Sequence, residues 1–320
     1  MKAVCELTEH NAPIYLRERH RIEARKVSVL QGGVSNVVLL VESDACRFVL
    51  KQSLPQLRTA AEWFCDRRRI FQESAALKML AGRLPQGSVP VVLFEDPDNF
   101  LFAMSAADAG SETWKEQLLR GDCDTAVATQ LGRIQSALIG CSGEARESFG
   151  SQEVFSQLRL EPYYKVTALR HPDLAPRLNA LADSYGERRL ALVHGDWSPK
   201  NFLVSPQGQA MAIDFEVIHF GDPAFDVAFL LNHLLLKSFY RPEDQSRYAS
   251  LAQAYWQALP QIEGLEESAI RHLGALLLAR MDGKSPVEYI QDDRTKDEIR
   301  SRARGIILHP PKRIREVFQA

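Results

Sequence analysis

The chain has 320 residues, 45% hydrophobic and 25% charged, with 39 basic and 41 acidic side chains and a net charge of −2. That length buries a sizeable core in two lobes or domains, and so even a charge balance carries no field for nucleic acid or an anionic membrane. The cysteines Cys5, Cys46, Cys65, Cys123 and Cys141 stand without metal spacing, and their odd number fits reduced cytoplasmic thiols.

The N-terminus, with Lys2, Glu6 and Glu9, lacks the apolar core of a signal peptide. Asn11 is placed to cap a short helix running to about Arg21, with Pro13 in its first turn. Residues 27–30 and 37–42 read as strands around the turn Gln31-Gly32-Gly33-Val34-Ser35-Asn36. Taken alone this is an ordinary hairpin. Its glycines also permit close backbone approach to a phosphate, and Ser35 adds a hydroxyl. It is not a Walker loop, because the G-x-x-x-x-G-K-[ST] pattern is absent.

A third strand, Arg47 to Lys51, puts Val49 and Lys51 on one face and Phe48 and Leu50 on the other. The helical pattern from about Thr59 to Ala81 has an apolar stripe through Ile70, Leu77 and Leu80, and Glu73 falls on that stripe. A carboxylate on an inward face needs a partner. Residues 89–94 and 100–104 read as strands four and five around Asp96-Pro97-Asp98-Asn99, and 105–110 link them to a second region. That region is mostly helical. Val127, Leu131, Ile134 and Leu138 mark a helix over 125–139, and further helices are predicted near 152–160, 173–185, 244–259, 265–281 and 292–304. Gly283 and Pro286 close one of them, beside the charged cluster Arg280, Asp282 and Lys284, which either lines a pocket or caps the helix. The tail Lys312-Arg313-Ile314-Arg315 reads as solvated surface.

The chemistry concentrates in residues 190–226. Leu190 to Val193 is a short apolar strand, followed at once by His194, Gly195 and Asp196, with Asn201 five positions after Asp196. Phe202-Leu203-Val204 and Ala210 to Ile213 form a hairpin about Ser205-Pro206-Gln207-Gly208. Folding it brings Asn201 and Asp214 side by side at the open end, with backbones roughly 5 Å apart. An amide oxygen and carboxylates converging there suit a hard cation such as Mg²⁺. Asp222 and Pro223 then open a helix that is apolar nearly all round, so it is buried rather than membrane-spanning, and Asp226 inside it needs a partner.

His194-Gly195-Asp196 with Asn201, then Asp214-Phe215-Glu216, resembles the H-R-D-x-x-x-x-N and D-F-G motifs of protein-kinase-like phosphotransferases. The Gly and the Glu point away from protein kinases. They resemble the aminoglycoside phosphotransferase superfamily, which includes choline, homoserine and methylthioribose kinases. The resemblance covers roughly 27–236. It implies a protein-kinase-like α+β fold, with an antiparallel β lobe over 1–105 that binds nucleotide and a larger helical lobe over 106–320 that carries the hairpin and the acceptor site.

By the same resemblance Asp196 is the catalytic carboxylate, and Asn201 and Asp214 hold Mg²⁺, with Glu216 as a further ligand. His194 and Asp226 support the loop, the latter gripping its backbone. Lys51 binds phosphate and pairs with Glu73, while Gly32, Gly33 and Ser35 cover the nucleotide and the segment from Met104 to Ala106 meets the adenine edge. Relatives often carry Glu-His where this chain has Ser105-Ala106, which leaves ATP and GTP both open. Arg280 and Lys284 are the candidates for the acceptor side.

The function expected is transfer of the ATP γ-phosphoryl group to a hydroxyl of a small sugar or amino alcohol in the cytoplasm, by a monomer or homodimer. No nucleic acid or membrane partner is expected. The rival readings are a nucleotide-binding regulator without transfer and an aminoglycoside-modifying resistance kinase. A basic cluster at Arg280 and Lys284 argues against a polycationic antibiotic.

Overall fold

The computed structural model describes residues 6–30, 36–56 and 66–319, apart from the Glu144 side chain. The chain divides into two compact units, 1–82 with 89–109 and 83–88 with 110–320.

The first unit is built on a five-stranded antiparallel sheet, with spatial order β1-β2-β3-β5-β4. Its strands are β1 (Ala24–Val29), β2 (Asn36–Ser43), β3 (Arg47–Ser53), β4 (Val92–Asp96) and β5 (Leu101–Ser105). β3 is central and buried along nearly its whole length, because both sheet faces are covered. Phe48 and Leu50 point into a cluster with Ala12 and Leu16 of the helix Ala12–His20. The opposite face, with Lys51, meets the helix Arg69–Leu80, which buries Ile70, Glu73, Ala76, Leu77 and Leu80.

Two expectations for this unit need correction. The helix predicted over about 59–81 is present as Arg69–Leu80; residues 66–68 before it form a turn in which Asp66 accepts the Arg68 N–H at 2.9 Å, and 59–65 lie outside the described residues. Asn11 occupies the N-cap position of its helix but does not cap it. Its side chain turns back to the Thr8 N–H at 2.7 Å and the Glu6 carbonyl at 2.9 Å, a local competition typical of short amides.

The second unit is mainly helical. The helix Ala224–Tyr240 buries 14 of its 17 residues, as its all-round apolarity requires. Around it pack Leu265–Asp282 and Gln245–Gln257, and Thr125–Gly140 packs on the latter. A helical run over 153–170 consists of Glu153–Phe155, a π-helical stretch Ser156–Lys165 and Val166–Arg170. It is far longer than the predicted 152–160. Pro162 inside it removes one ladder N–H, and π-helical turns are frequent at functional sites.

Two small sheets complete the unit. β7 (Ala191–Val193) pairs with β10 (His219–Gly221), and β6 (Glu112–Thr113), β8 (Phe202–Val204) and β9 (Ala210–Ala212) lie in that order. The basic tail is less free than expected: Arg313 Nη1 meets Glu266 at 2.8 Å and Ile314 is buried. No helix among the described residues is long and apolar enough to cross a membrane.

Candidate active site

β8 and β9 pair in the register Phe202↔Ala212, and the Ile213 N–H donates to the Asn201 carbonyl at 2.9 Å. The hairpin therefore brings its flanking residues Asn201 and Asp214 together, as the spacing predicted. Asp214 has φ +69°, in the left-handed region that aspartate tolerates better than most residues, and this turns the chain sharply at the strand end. Phe215, next along, is fully buried with its ring 4.4 Å from that of His194. Gly195 explains the glycine of the motif. Its φ is +79°, and a Cβ there would sit 2.8 Å from the Val217 carbonyl oxygen.

The loop after β7 is held from below by Asp226. One carboxylate oxygen accepts the His194 N–H at 2.6 Å and the other the Gly195 N–H at 2.9 Å. This is the backbone grip that the resemblance implied. Burial pushes the Asp226 carboxyl up to about 7, against the pull of those two N–H donors. His194 Nε2 lies 3.0 Å from the Ile213 carbonyl, which can only accept, so that nitrogen carries the proton. Nδ1 is then free to accept the Asp196 N–H at 3.2 Å. Burial lowers the His194 pKa to about 4, so this neutral ring ties the loop to the end of the hairpin.

Asp196 is 4% exposed and stands between two cations, Arg159 Nη2 at 3.0 Å and Lys200 Nζ at 2.8 Å. Burial would raise its carboxyl, but Arg159 and Lys200 override that and hold it far below the ordinary carboxylate range. Arg159 also donates from Nε to the Gly195 carbonyl at 2.8 Å, so it braces loop and carboxylate together. Asp214 and Glu216 lie within its field. Asn201 Nδ2 donates to the Asp196 carbonyl at 2.9 Å, which turns its Oδ1 away from that bond. Reading the sequence missed both cations. Lys200, four residues after Asp196 on the same loop, offered a signal; Arg159, from a distant π-helical stretch, offered none.

In the first unit, Lys51 Nζ lies 2.9 Å from Glu73 Oε1 and 2.7 Å from Oε2, with Lys51 4% and Glu73 0% exposed. Met104 on β5 is buried and pairs with Val49 and Val92, and Ala106 follows two residues later. Gly32, Gly33 and Ser35, the expected phosphate-covering turn, lie outside the described residues, as do Cys5 and Cys65.

The cluster at Arg280 splits. Asp282 turns to Arg300, with Oδ1 2.8 Å from Nη2, and to His171 at 2.9 Å. Arg280 Nη1 donates instead to the Tyr163 hydroxyl at 3.1 Å and the Ser285 carbonyl at 2.6 Å. The Lys284 side chain is exposed, and its backbone N–H bonds the Pro162 carbonyl at 3.2 Å.

Comparison with known proteins gives this geometry a family. Residues 26–278 match the phosphotransferase enzyme family APH. Methylthioribose kinase of Escherichia coli O45:K1 (strain S88 / ExPEC) is 28% identical over 253 residues, 69% of this chain and 59% of that protein. Methylthioribose kinase 2 of Oryza sativa subsp. japonica is 23% identical over 266 residues, 73% of this chain and 62% of that one. The chain thus spans about 60% of the length of these curated relatives. Among solved structures, macrolide 2'-phosphotransferase MphH from Brachybacterium faecium superposes with a TM-score of 0.57 at 19% identity, covering 94% of this chain and 99% of that one. The fold is that of the protein-kinase-like phosphotransferases, and the chain belongs to the APH phosphotransferase enzyme family.

Proposed function

Starting from that membership, we propose that the protein transfers the γ-phosphoryl group of ATP, or of GTP, to a hydroxyl of a small metabolite. The observation that carries this reading is the Asp226-clamped loop, which presents an ionised Asp196 beside the hairpin end bearing Asn201 and Asp214. In the transfer, the acceptor oxygen bonds to the γ-phosphorus, the bond to the β–γ bridging oxygen breaks, and the nucleoside diphosphate leaves. Asp196 accepts a hydrogen bond from the acceptor hydroxyl and takes its proton late. Flanked by Arg159 and Lys200 it is a weak base, so aligning the hydroxyl is its main contribution.

The Asn201 Oδ1 and the carboxylates of Asp214 and Glu216 would supply an all-oxygen donor set suited to Mg²⁺, which keeps few protein ligands and shares phosphate oxygens. Bound there, the ion would neutralise charge on the transferring phosphates. Lys51, oriented by Glu73, is assigned to nucleotide phosphate, and Met104 and Ala106 to the base edge. On this reading the first unit is the nucleotide lobe and the second the acceptor lobe, with their boundary at 109/110 rather than at the expected 105/106. The acceptor is a sugar or amino alcohol, and the methylthioribose of the relatives' names is the first compound to try.

The experiment is nucleotide-diphosphate release measured over a panel of sugars and amino alcohols. Asp196→Asn should lower kcat by at least ~10² with nucleotide affinity unchanged. Asp214→Ala should abolish Mg²⁺-dependent nucleotide binding in calorimetry. Wild-type turnover by the first variant, or unchanged metal dependence in the second, sinks the corresponding role.

A further inference from the structure

Phe229, His233 and Lys237 recur every four residues on the helix Ala224–Tyr240 and so share one face. That face meets the π-helical stretch and the end of Leu265–Asp282, all within the second unit. The Phe229 ring is 5.7 Å from Tyr163 and 5.2 Å from His233, and Arg159 lies 6.0 Å from the Phe229 ring centre. The Arg280 guanidinium is 5.8 Å from the Tyr163 ring and Lys237 Nζ is 5.3 Å from that of Tyr289.

The charges here do not cancel. Asp196 is taken by Arg159 and Lys200, and Glu288 by Lys115. Among the described residues, neither Lys237 nor Arg280 has a carboxylate within ion-pair distance. Lys237 is nevertheless only 1% exposed, and among the described residues its ammonium hydrogen-bonds just the His233 carbonyl, at 3.5 Å. Two further buried donors, Arg280 Nε and the Tyr289 hydroxyl, have no hydrogen-bond partner among the described residues. Burying an unpaired cation is costly, and proteins rarely do so without a counter-ion in some functional state. Burial first, then Lys115 and Arg280, depress Lys237 to about 7, with Glu288 opposing only in part. Burial, Lys237 and Arg280 likewise keep His233 neutral, well below its ordinary value.

We infer that Lys237 and Arg280, with the Tyr289 hydroxyl, form a receptor for a carboxylate or phosphate group carried by the acceptor itself. The substrate class then shifts from a neutral sugar or an amino alcohol to a small hydroxyl compound with an anionic end, such as a hydroxy acid or a sugar phosphate. This rests on the phosphotransferase reading with Asp196 facing the acceptor hydroxyl. Arg280 hydrogen-bonds the Tyr163 hydroxyl, the Tyr163 and His233 rings lie against that of Phe229, and Arg159 beside Phe229 pairs with Asp196, so a run of contacts joins the anchor to the reacting end. A polycation would instead meet Arg159, Lys200, Arg280 and Lys237 together.

The test uses the full chain with MgATP and matched acceptors: glycerate and ribose 5-phosphate against glycerol, ribose and methylthioribose. Anionic members should be turned over with kcat/KM at least ~10-fold above their neutral counterparts. Hydroxy acid against sugar phosphate tells which anion the receptor prefers. Lys237→Met and Arg280→Gln should each raise the KM of the anionic acceptor about tenfold and leave the KM for ATP alone. Inorganic phosphate should raise the thermal midpoint of the wild type but not of either variant, a readout that needs no turnover. Equal phosphate shifts in wild type and variants, or neutral acceptors used as well as anionic ones by all three, overturn the inference and leave the kinase reading standing. A wild-type protein that binds no MgADP breaks the kinase reading instead, while the phosphate shift still reports on the anion receptor.

Discussion

Lys51 and Lys237 are both buried, 4% and 1% exposed, and they meet opposite fates. Lys51 lies on the β3 face covered by the helix Arg69–Leu80, and Glu73 on that helix supplies both carboxylate oxygens. Lys237 lies on a helix whose neighbours offer a tyrosine ring, a carbonyl and two more cations, Lys115 and Arg280, which Glu288 opposes only in part. The first charge is settled within the chain, which makes it part of the architecture and fixes the ammonium for whatever it meets. The second waits for something from outside. His219 and His272 are buried bases in a third condition. His219 Nδ1 donates to the Val217 carbonyl at 2.9 Å while Nε2 accepts from the Tyr185 hydroxyl at 2.8 Å, and His272 hydrogen-bonds Tyr164 at 2.6 Å, so both are accommodated as neutral rings.

The largest effect expected from this contrast is acid destabilisation. Burial depresses His219 and His272 from 6.5 to about 4 each. Their contribution is therefore fully present above pH 6.5 and is lost as pH falls towards 4, on the order of 5 kcal/mol for the two together. Urea unfolding across that range should show the fall, and His219→Gln should flatten it. A curve equally steep in the variant would mean that other groups drive the acid transition.

Next in size, Glu73→Gln takes the carboxylate from the Lys51 ammonium and should cost about 4 kcal/mol of stability, whereas changing Lys51 and Glu73 together to Met and Leu should cost less than the sum of the single changes. Additivity within ~0.5 kcal/mol would erase the distinction between the two lysines from one side. From the other side, Lys237→Met should change stability by less than about 1 kcal/mol, or raise it, because the methionine keeps the apolar stem and removes an unpaired charge. A loss on the Glu73→Gln scale would show that Lys237 is a structural residue with a partner after all.

Much of the site was legible because its signals are short-ranged. Two three-residue strands around Ser205-Pro206-Gln207-Gly208 oblige Asn201 and Asp214 to meet, whatever surrounds them. The inward glutamate on the helix containing Glu73, and the lone aspartate in an otherwise apolar helix, announced that each needed a partner. Other elements left no such trace. β6 is two residues long and exists only because β8 offers it an edge. The π-helical stretch follows no 3.6-residue stripe, so its length and Arg159 within it went unread. Asn11 looked like a cap, but its amide had a closer donor in Thr8.

By itself the sequence determined the strand–turn–strand core, the carboxylates it presents and the polar residues that could not be buried alone, because periodicity, turn chemistry and spacing act over a few bonds. Only the tertiary structure decided which charges are answered. Arg159 reaches Asp196 from a distant π-helical stretch, Asp282 deserts Arg280 for Arg300, and Lys237 has no carboxylate at ion-pair distance among the described residues. Coulomb attraction and the cost of lost water depend on distance and burial in space, and neither is written in the order of residues along the chain.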